Sequence, residues 1–139
     1  MRCQLQSVPQ PETIAYVTNR DRSSETEAEY GPFDPGALVI IFLSNPREKF
    51  WGVLLALSPA GVCARGVDLN SFDDFASLLR AREPATPAEV FFPLHRVERI
   101  EIDLASGNVP SLAERFQASS GRSAAEVFGP YQTRSVRLR

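Results

Sequence analysis

The sequence predicts a mainly β protein of the α+β kind: a five-stranded, strongly bent small barrel, with a helix inserted between strands three and four and short C-terminal helices. Three observations carry that expectation. Short apolar runs at 37–43, 50–57 and 62–69 are separated by Asn45-Pro46 and by Ser58-Pro59-Ala60-Gly61. Runs of this length, rich in branched and aromatic residues and bounded by turn formers, are strand signals. Two more follow at 90–92 and 97–103, and five short strands so close together fit a small barrel. Finally, Gly52 and Gly66 fall inside strands, where glycine costs stability and commonly marks a bend or bulge in a sheet that curls on itself.

Residues 1–32 read as a flexible acidic leader. The stretch 12–17 has the make-up of one short strand, whereas 19–29 is almost wholly polar and carries Glu25, Glu27 and Glu29. A segment with so few apolar groups does not bury enough surface to order itself. Phe33-Asp34-Pro35-Gly36 then turns the chain into the first strand. The barrel is expected over 33–104, a helical appendage over 105–130 and a basic tail over 131–139.

The first strand is apolar at successive positions, so both of its faces should be covered. In the second, alternation places Trp51, Val53, Leu55 and Leu57 on one face and Phe50, Leu54 and Ala56 on the other. After Leu69 the period becomes helical: Phe72, Phe75, Leu78 and Leu79 recur at helix spacing, and the inserted helix is expected over 71–82. Ser71-Phe72-Asp73-Asp74 has the form of a capping box with Asp for Glu. Asp73 and Asp74 lie at the positive helix start, Arg80 and Arg82 at its negative end. Pro84 and Pro87 follow it.

Residues 90–103 read as strand, tight turn, strand. Pro93 lacks a backbone donor, so the ladder should stop there, and Val97 is out of phase with the Ile100/Ile102/Leu104 alternation. Ser111-Leu112-Ala113-Glu114 and Ser123-Ala124-Ala125-Glu126 are two further capping boxes, and the short helices they begin are expected to lie across an open part of the barrel.

Length and composition exclude several classes. At 139 residues the chain suffices for one domain with a proper core. The apolar fraction of 43% and formal net charge of −2 describe neither a broadly basic nucleic-acid binder nor an acidic solvating chain. No apolar run approaches the roughly 18 residues of a membrane span. Cys3 and Cys63 form no disulfide framework, and Cys63 reads as a buried small hydrophobe. With no signal peptide evident, a cytoplasmic location is implied.

The order strand, glycine-bent strand, strand, linker, short strand, tight turn, strand resembles the Sm-like superfamily of SH3-like small barrels. The likeness is carried by residues 36–43, by residues 50–57 with Phe50-Trp51-Gly52-Val53 at their start, and by residues 90–101. It implies a glycine-permitted bend at Gly52, self-assembly through strand edges, and RNA binding from two loops. Those loops depart from the family here: Ser58-Pro59-Ala60-Gly61 has lost the base-contacting polar groups and Pro93-Leu94-His95-Arg96 keeps only His95 and Arg96, so the fold inference outlasts the RNA inference.

Chemistry is sparse. His95 is the only histidine, so no histidine-rich or Cys/His metal site assembles. Helix capping accounts for Asp73 and Asp74 without a ligand, and no phosphate loop or nucleophile elbow occurs. No catalytic residue, metal or cofactor is expected. Phe50, Trp51, Phe91 and Phe92 are weighed as a base-stacking platform against ordinary packing, and packing is preferred. The expectation is a non-catalytic module for protein interaction or self-assembly, with an unidentified protein partner or a homo-oligomer joined through strand edges, Val90, Phe91 and Phe92 being the interface candidates. The alternative is an oligomeric RNA-binding ring using His95, Arg96, Arg134, Arg137 and Arg139. Nucleic-acid binding is expected to be weak, because residues 37–104 hold seven basic groups against nine acidic ones.

Overall fold

The computed structural model describes residues 31–129. The leader, the basic tail and Arg134, Arg137 and Arg139 lie outside the described residues.

Five strands form one antiparallel sheet: β1 (Leu38–Leu43), β2 (Glu48–Ser58), β3 (Gly61–Asp68), β4 (Ala88–Pro93) and β5 (Val97–Ile102). Their spatial order is β4-β3-β2-β1-β5. No ladder joins β4 to β5, so the expected barrel is an unclosed sheet. Three helices complete the described chain: α1 (Phe72–Arg80), α2 (Leu112–Ser120) and α3 (Ala124–Phe128). None is long and apolar enough to cross a membrane.

Both faces of the sheet are covered, as the unbroken apolar run of β1 requires. On the inner face Val39, Ile41 and Leu43 join Phe50, Leu54, Val62 and Ala64 in one buried cluster. Side chains of both outer strands pack on it, Val90 and Phe92 from β4 and Val97, Ile100 and Ile102 from β5. On the outer face Trp51, Val53 and Val67 meet the helices through Phe72, Phe75, Leu79, Phe116 and Phe128. The C-terminal helices thus sit over the sheet around Trp51 and do not bridge an opening, because Phe116 and Phe128 are their large apolar side chains and Trp51 is the apolar surface that meets them. The rings of Phe72, Phe116 and Phe128 stand 5.3, 5.3 and 4.9 Å from that of Trp51, in the tilted and edge-on geometries that aromatic quadrupoles favour.

Gly52 pairs directly with Gly66. A Cβ on Gly52 would overlap the Arg65 carbonyl and come 2.8 Å from the Gly66 Cα, and one on Gly66 would overlap the Trp51 carbonyl. The two strands approach more closely here than any side chain permits. The bulge itself lies elsewhere: the β2–β3 register shifts between Leu54 and Ala56. That extra residue corrects the expected alternation. Leu55 still packs with the helices, but Leu57 turns inward to the β-strand cluster and Ala56 turns outward. A second shift, between Phe42 and Leu43 opposite β5, brings the out-of-phase Val97 onto the inner cluster.

The capping expectations divide. In α2, Ser111 Oγ accepts from Glu114 N–H at 3.1 Å and Glu114 Oε1 accepts from Ser111 N–H at 3.2 Å, a complete capping box. Ser123 Oγ accepts from Glu126 N–H at 3.1 Å at the start of α3. Ser71 makes no side-chain cap. A 3₁₀ turn over Leu69–Ser71 precedes α1, and Asp68 caps that turn by accepting from Asn70 N–H at 2.7 Å.

One residue fastens the outer layer to the sheet. The Asp103 carboxylate, just past β5, accepts from Leu112 N–H at 2.8 Å, from Ala113 N–H at 2.9 Å and from the Trp51 indole N–H at 3.1 Å. Two orphan amides of the α2 start and one buried indole are satisfied together.

Candidate functional site

The sequence singled out Val90, Phe91 and Phe92, and the structure separates them. Val90 and Phe92 face inward against the β-strand cluster, Phe92 lying edge-on to Phe50 with 5.4 Å between centroids. Phe91 faces the other way and is 51% exposed, with Leu94 just beyond it at 48%. Trp51 and Phe50 are buried, so no four-ring stacking platform exists.

What makes Phe91 a site is its backbone. Leu94 N–H donates to the Ala60 carbonyl at 2.9 Å. In the observed register, with Gly61 opposite Pro93, this fixes Val62–Phe92, Ala64–Val90 and Gly66–Ala88 as the hydrogen-bonded pairs of an antiparallel ladder. The N–H and C=O groups of Glu89 and Phe91, and the carbonyl of Pro93, therefore point away from β3. Among the described residues nothing pairs with them. The row behind Phe91 is apolar as well, with Cys63 half-buried directly across the ladder and Ala56 beyond it. Glu89 is held back along the sheet by Arg65, whose Nε donates to it at 2.9 Å while Nη1 donates to the Phe128 carbonyl at 2.9 Å.

The opposite edge is built differently. β5 exposes Glu98, Arg99 and Glu101, and it carries the register shift opposite Leu43. Charged side chains and irregular register are the usual means of blunting a strand edge.

Lys49 and Arg99 both lie opposite Phe42 in the ladders, making a cation–aromatic–cation row across β2, β1 and β5. The Arg99 guanidinium stacks 3.8 Å from the Phe42 ring centroid and also donates to Glu101 at 2.7 Å. Arg47 approaches Glu98 at 4.0 Å. Arg96 holds the β1–β2 turn by donating to the Ser44 and Pro46 carbonyls at 2.9 and 2.8 Å, with Glu48 at 3.7 Å. This gathering of Arg47, Lys49, Arg96 and Arg99 is thus largely self-neutralised, and Arg96 fastens a loop. His95 is exposed beside it in the 3₁₀ turn Leu94–Arg96.

Two hollows lie on the helical side of the described residues. One, of about 690 Å³, lies between the C-terminal ends of α1 and α2 and is lined by Arg80, Arg82, Glu83 and Arg122. Arg80 is occupied there, donating to the Ala118 and Ser119 carbonyls at 2.9 and 2.7 Å and so capping α2. The other, of about 480 Å³, is lined by Gly36 of the turn before β1, by Leu38 and Val53 of the sheet, and by Ala124 and Ala125 of α3. Among the described residues no three His, Cys, Asp or Glu side chains gather as metal ligands would.

Compared with protein-family models, with curated proteins and with solved structures, the chain matches none of them.

Sequence reading missed two features. The Asp103 clamp joins groups 52 and 9–10 residues apart, and nothing local marks such a residue, which lies just past β5 and well ahead of α2. The Pro93 signal was available, but only the observed register shows that Phe91, and not its neighbours, offers its backbone to the outside.

Proposed function

We propose that this chain is a non-catalytic protein-interaction module whose outer β4 edge accepts an extended segment by strand addition. The observation that carries the reading is Phe91, which combines an outward-facing N–H and C=O with a half-exposed ring. Strand addition draws affinity from main-chain hydrogen bonds and specificity from alternate side chains, and the Cys63–Ala56 row beside Phe91 supplies an apolar seat for one such side chain. We read the sheet as an unclosed small barrel of the Sm-like kind. The Gly52–Gly66 close approach, the three-residue link between β4 and β5, and the packing of both edge strands on one inner cluster support that reading.

The test is selection from a displayed library of extended peptides. Isolated peptides should lose at least tenfold in affinity against Phe91→Pro, which removes one outward N–H and leaves the β3 ladder its bonds. Peptides that bind this variant as tightly as the native protein would refute strand addition at β4.

A further inference from the structure

Resting on that reading, we infer that the segment β4 accepts is β4 of a second copy, paired antiparallel about a two-fold axis at Phe91. Geometry selects this register. With Phe91 opposite the partner copy's equivalent position, the two outward N–H and C=O groups at Phe91 exchange a pair of hydrogen bonds across the axis. Each Glu89 N–H then donates to the Pro93 carbonyl of the other copy, adding two more. Pro93 has no N–H to return, so each Glu89 carbonyl keeps its water and the pairing ends at this position with one bond in place of two.

Side chains agree with the backbone. The same register places Phe91 against Phe91 on the outer face and Val90 against Phe92 on the inner one, so apolar groups meet on both sides. Sliding by two positions to centre on Val90 would set each Glu89 carboxylate against a Phe91 ring and bring the two carboxylates onto neighbouring diagonal positions. Like charges that close are unfavourable. In the Phe91-centred register they stand four residues apart along the strands, roughly 13 Å at about 3.4 Å per residue.

Pairing β4 with β5 of another copy is disfavoured by the same observations. β5 presents Glu98, Arg99 and Glu101 and an irregular register, whereas β4 presents its own complement. A two-fold β4 contact is closed after two copies and continues the sheet from five strands to ten.

The full chain is measured by light scattering at about 100 µM and should be a dimer, twice 15.4 kDa. Phe91→Pro and Phe91→Lys should each weaken dimerisation at least tenfold, while in dilute solution, where every form is monomeric, the unfolding temperature stays that of the native protein. Register is read by oxidation in a Cys3→Ser, Cys63→Ser background. Directly opposed hydrogen-bonded residues have Cα atoms about 5.5 Å apart, within disulfide reach. Phe91→Cys should therefore form a covalent dimer readily and Glu89→Cys should not. A monomer at that concentration, a larger ring, or cross-linking at Glu89→Cys and not at Phe91→Cys overturns the two-fold β4 pairing. Peptides whose binding depends on Phe91 would show, in the first of those cases, that the strand-addition reading stands and only the choice of partner has failed.

Discussion

Replacing Asp103 with alanine tests how the outer layer is held to the sheet. The carboxylate receives three donors, at 2.8, 2.9 and 3.1 Å. Two are the Leu112 and Ala113 amides, which sit near solvent at the start of α2 and can turn to water. Losing a cap of that kind costs about 0.5–2 kcal/mol. The third donor is the indole of Trp51, which is fully buried. An orphaned buried donor costs about 1–3 kcal/mol. The sum is about 1.5–5 kcal/mol, and at ~4–8 °C per kcal/mol for a body of this size the midpoint should fall by roughly 6–40 °C. Trp51 is the only tryptophan, so denaturant unfolding followed by its fluorescence reports the site itself. Ser111→Ala, which opens the capping box but leaves Asp103 in place, should cost only about 1 kcal/mol. A loss below about 1 kcal/mol for Asp103→Ala, or equal losses for the two variants, would refute the clamp.

Further outcomes follow from the same geometry. Gly52→Val should cost about 2–4 kcal/mol, because the added atoms meet the Arg65 carbonyl across a ladder that cannot widen locally; native-like thermal unfolding of that variant would remove the close approach from the account. Arg96→Ala should lower stability by about 1–2 kcal/mol by freeing the Ser44 and Pro46 carbonyls, measurable by urea titration, and it should leave peptide binding at β4 untouched. Fluorescence anisotropy with short single-stranded RNA and DNA should show only weak, salt-sensitive binding, with a log–log slope no steeper than roughly −3 from the three arginines of the tail. Submicromolar affinity at moderate salt that disappears in His95→Ala with Arg96→Ala would restore the RNA-binding alternative.

The strands and helices were legible because their signals are local. The apolar runs, the 72/75/79 spacing and the Ser111–Glu114 box each require only a few consecutive residues, and each led to an element within a residue or two of its expected place. Gly52 and Gly66 were each legible as special positions, yet their pairing with one another was not, since cross-strand register depends on the turn between them. Where the sequence misled, a single inserted residue was responsible. The bulge at Leu55 reversed the sides of Ala56 and Leu57, and the shift opposite Leu43 placed Val97 inside. Ser71 failed as a cap because Asp68 starts a 3₁₀ turn before α1. At the candidate site the sequence marked the right segment, Val90-Phe91-Phe92, but treated three residues alike. Only the hydrogen-bond phase of the β3–β4 ladder distinguishes Phe91, and that phase is set by the Ala60–Leu94 contact at the far side of the turn.

Amide hydrogen exchange at Phe91, followed by NMR over a dilution series, tests the central claim most directly. Phe92 N–H belongs to the β3 ladder and should exchange slowly at every concentration. Phe91 N–H should exchange rapidly in dilute solution, where the β4 edge is open, and slow down progressively as the concentration rises and a second strand covers it. Slow exchange at Phe91 in the dilute monomer, or rapid exchange unchanged across the whole series, would contradict an open edge that recruits another copy.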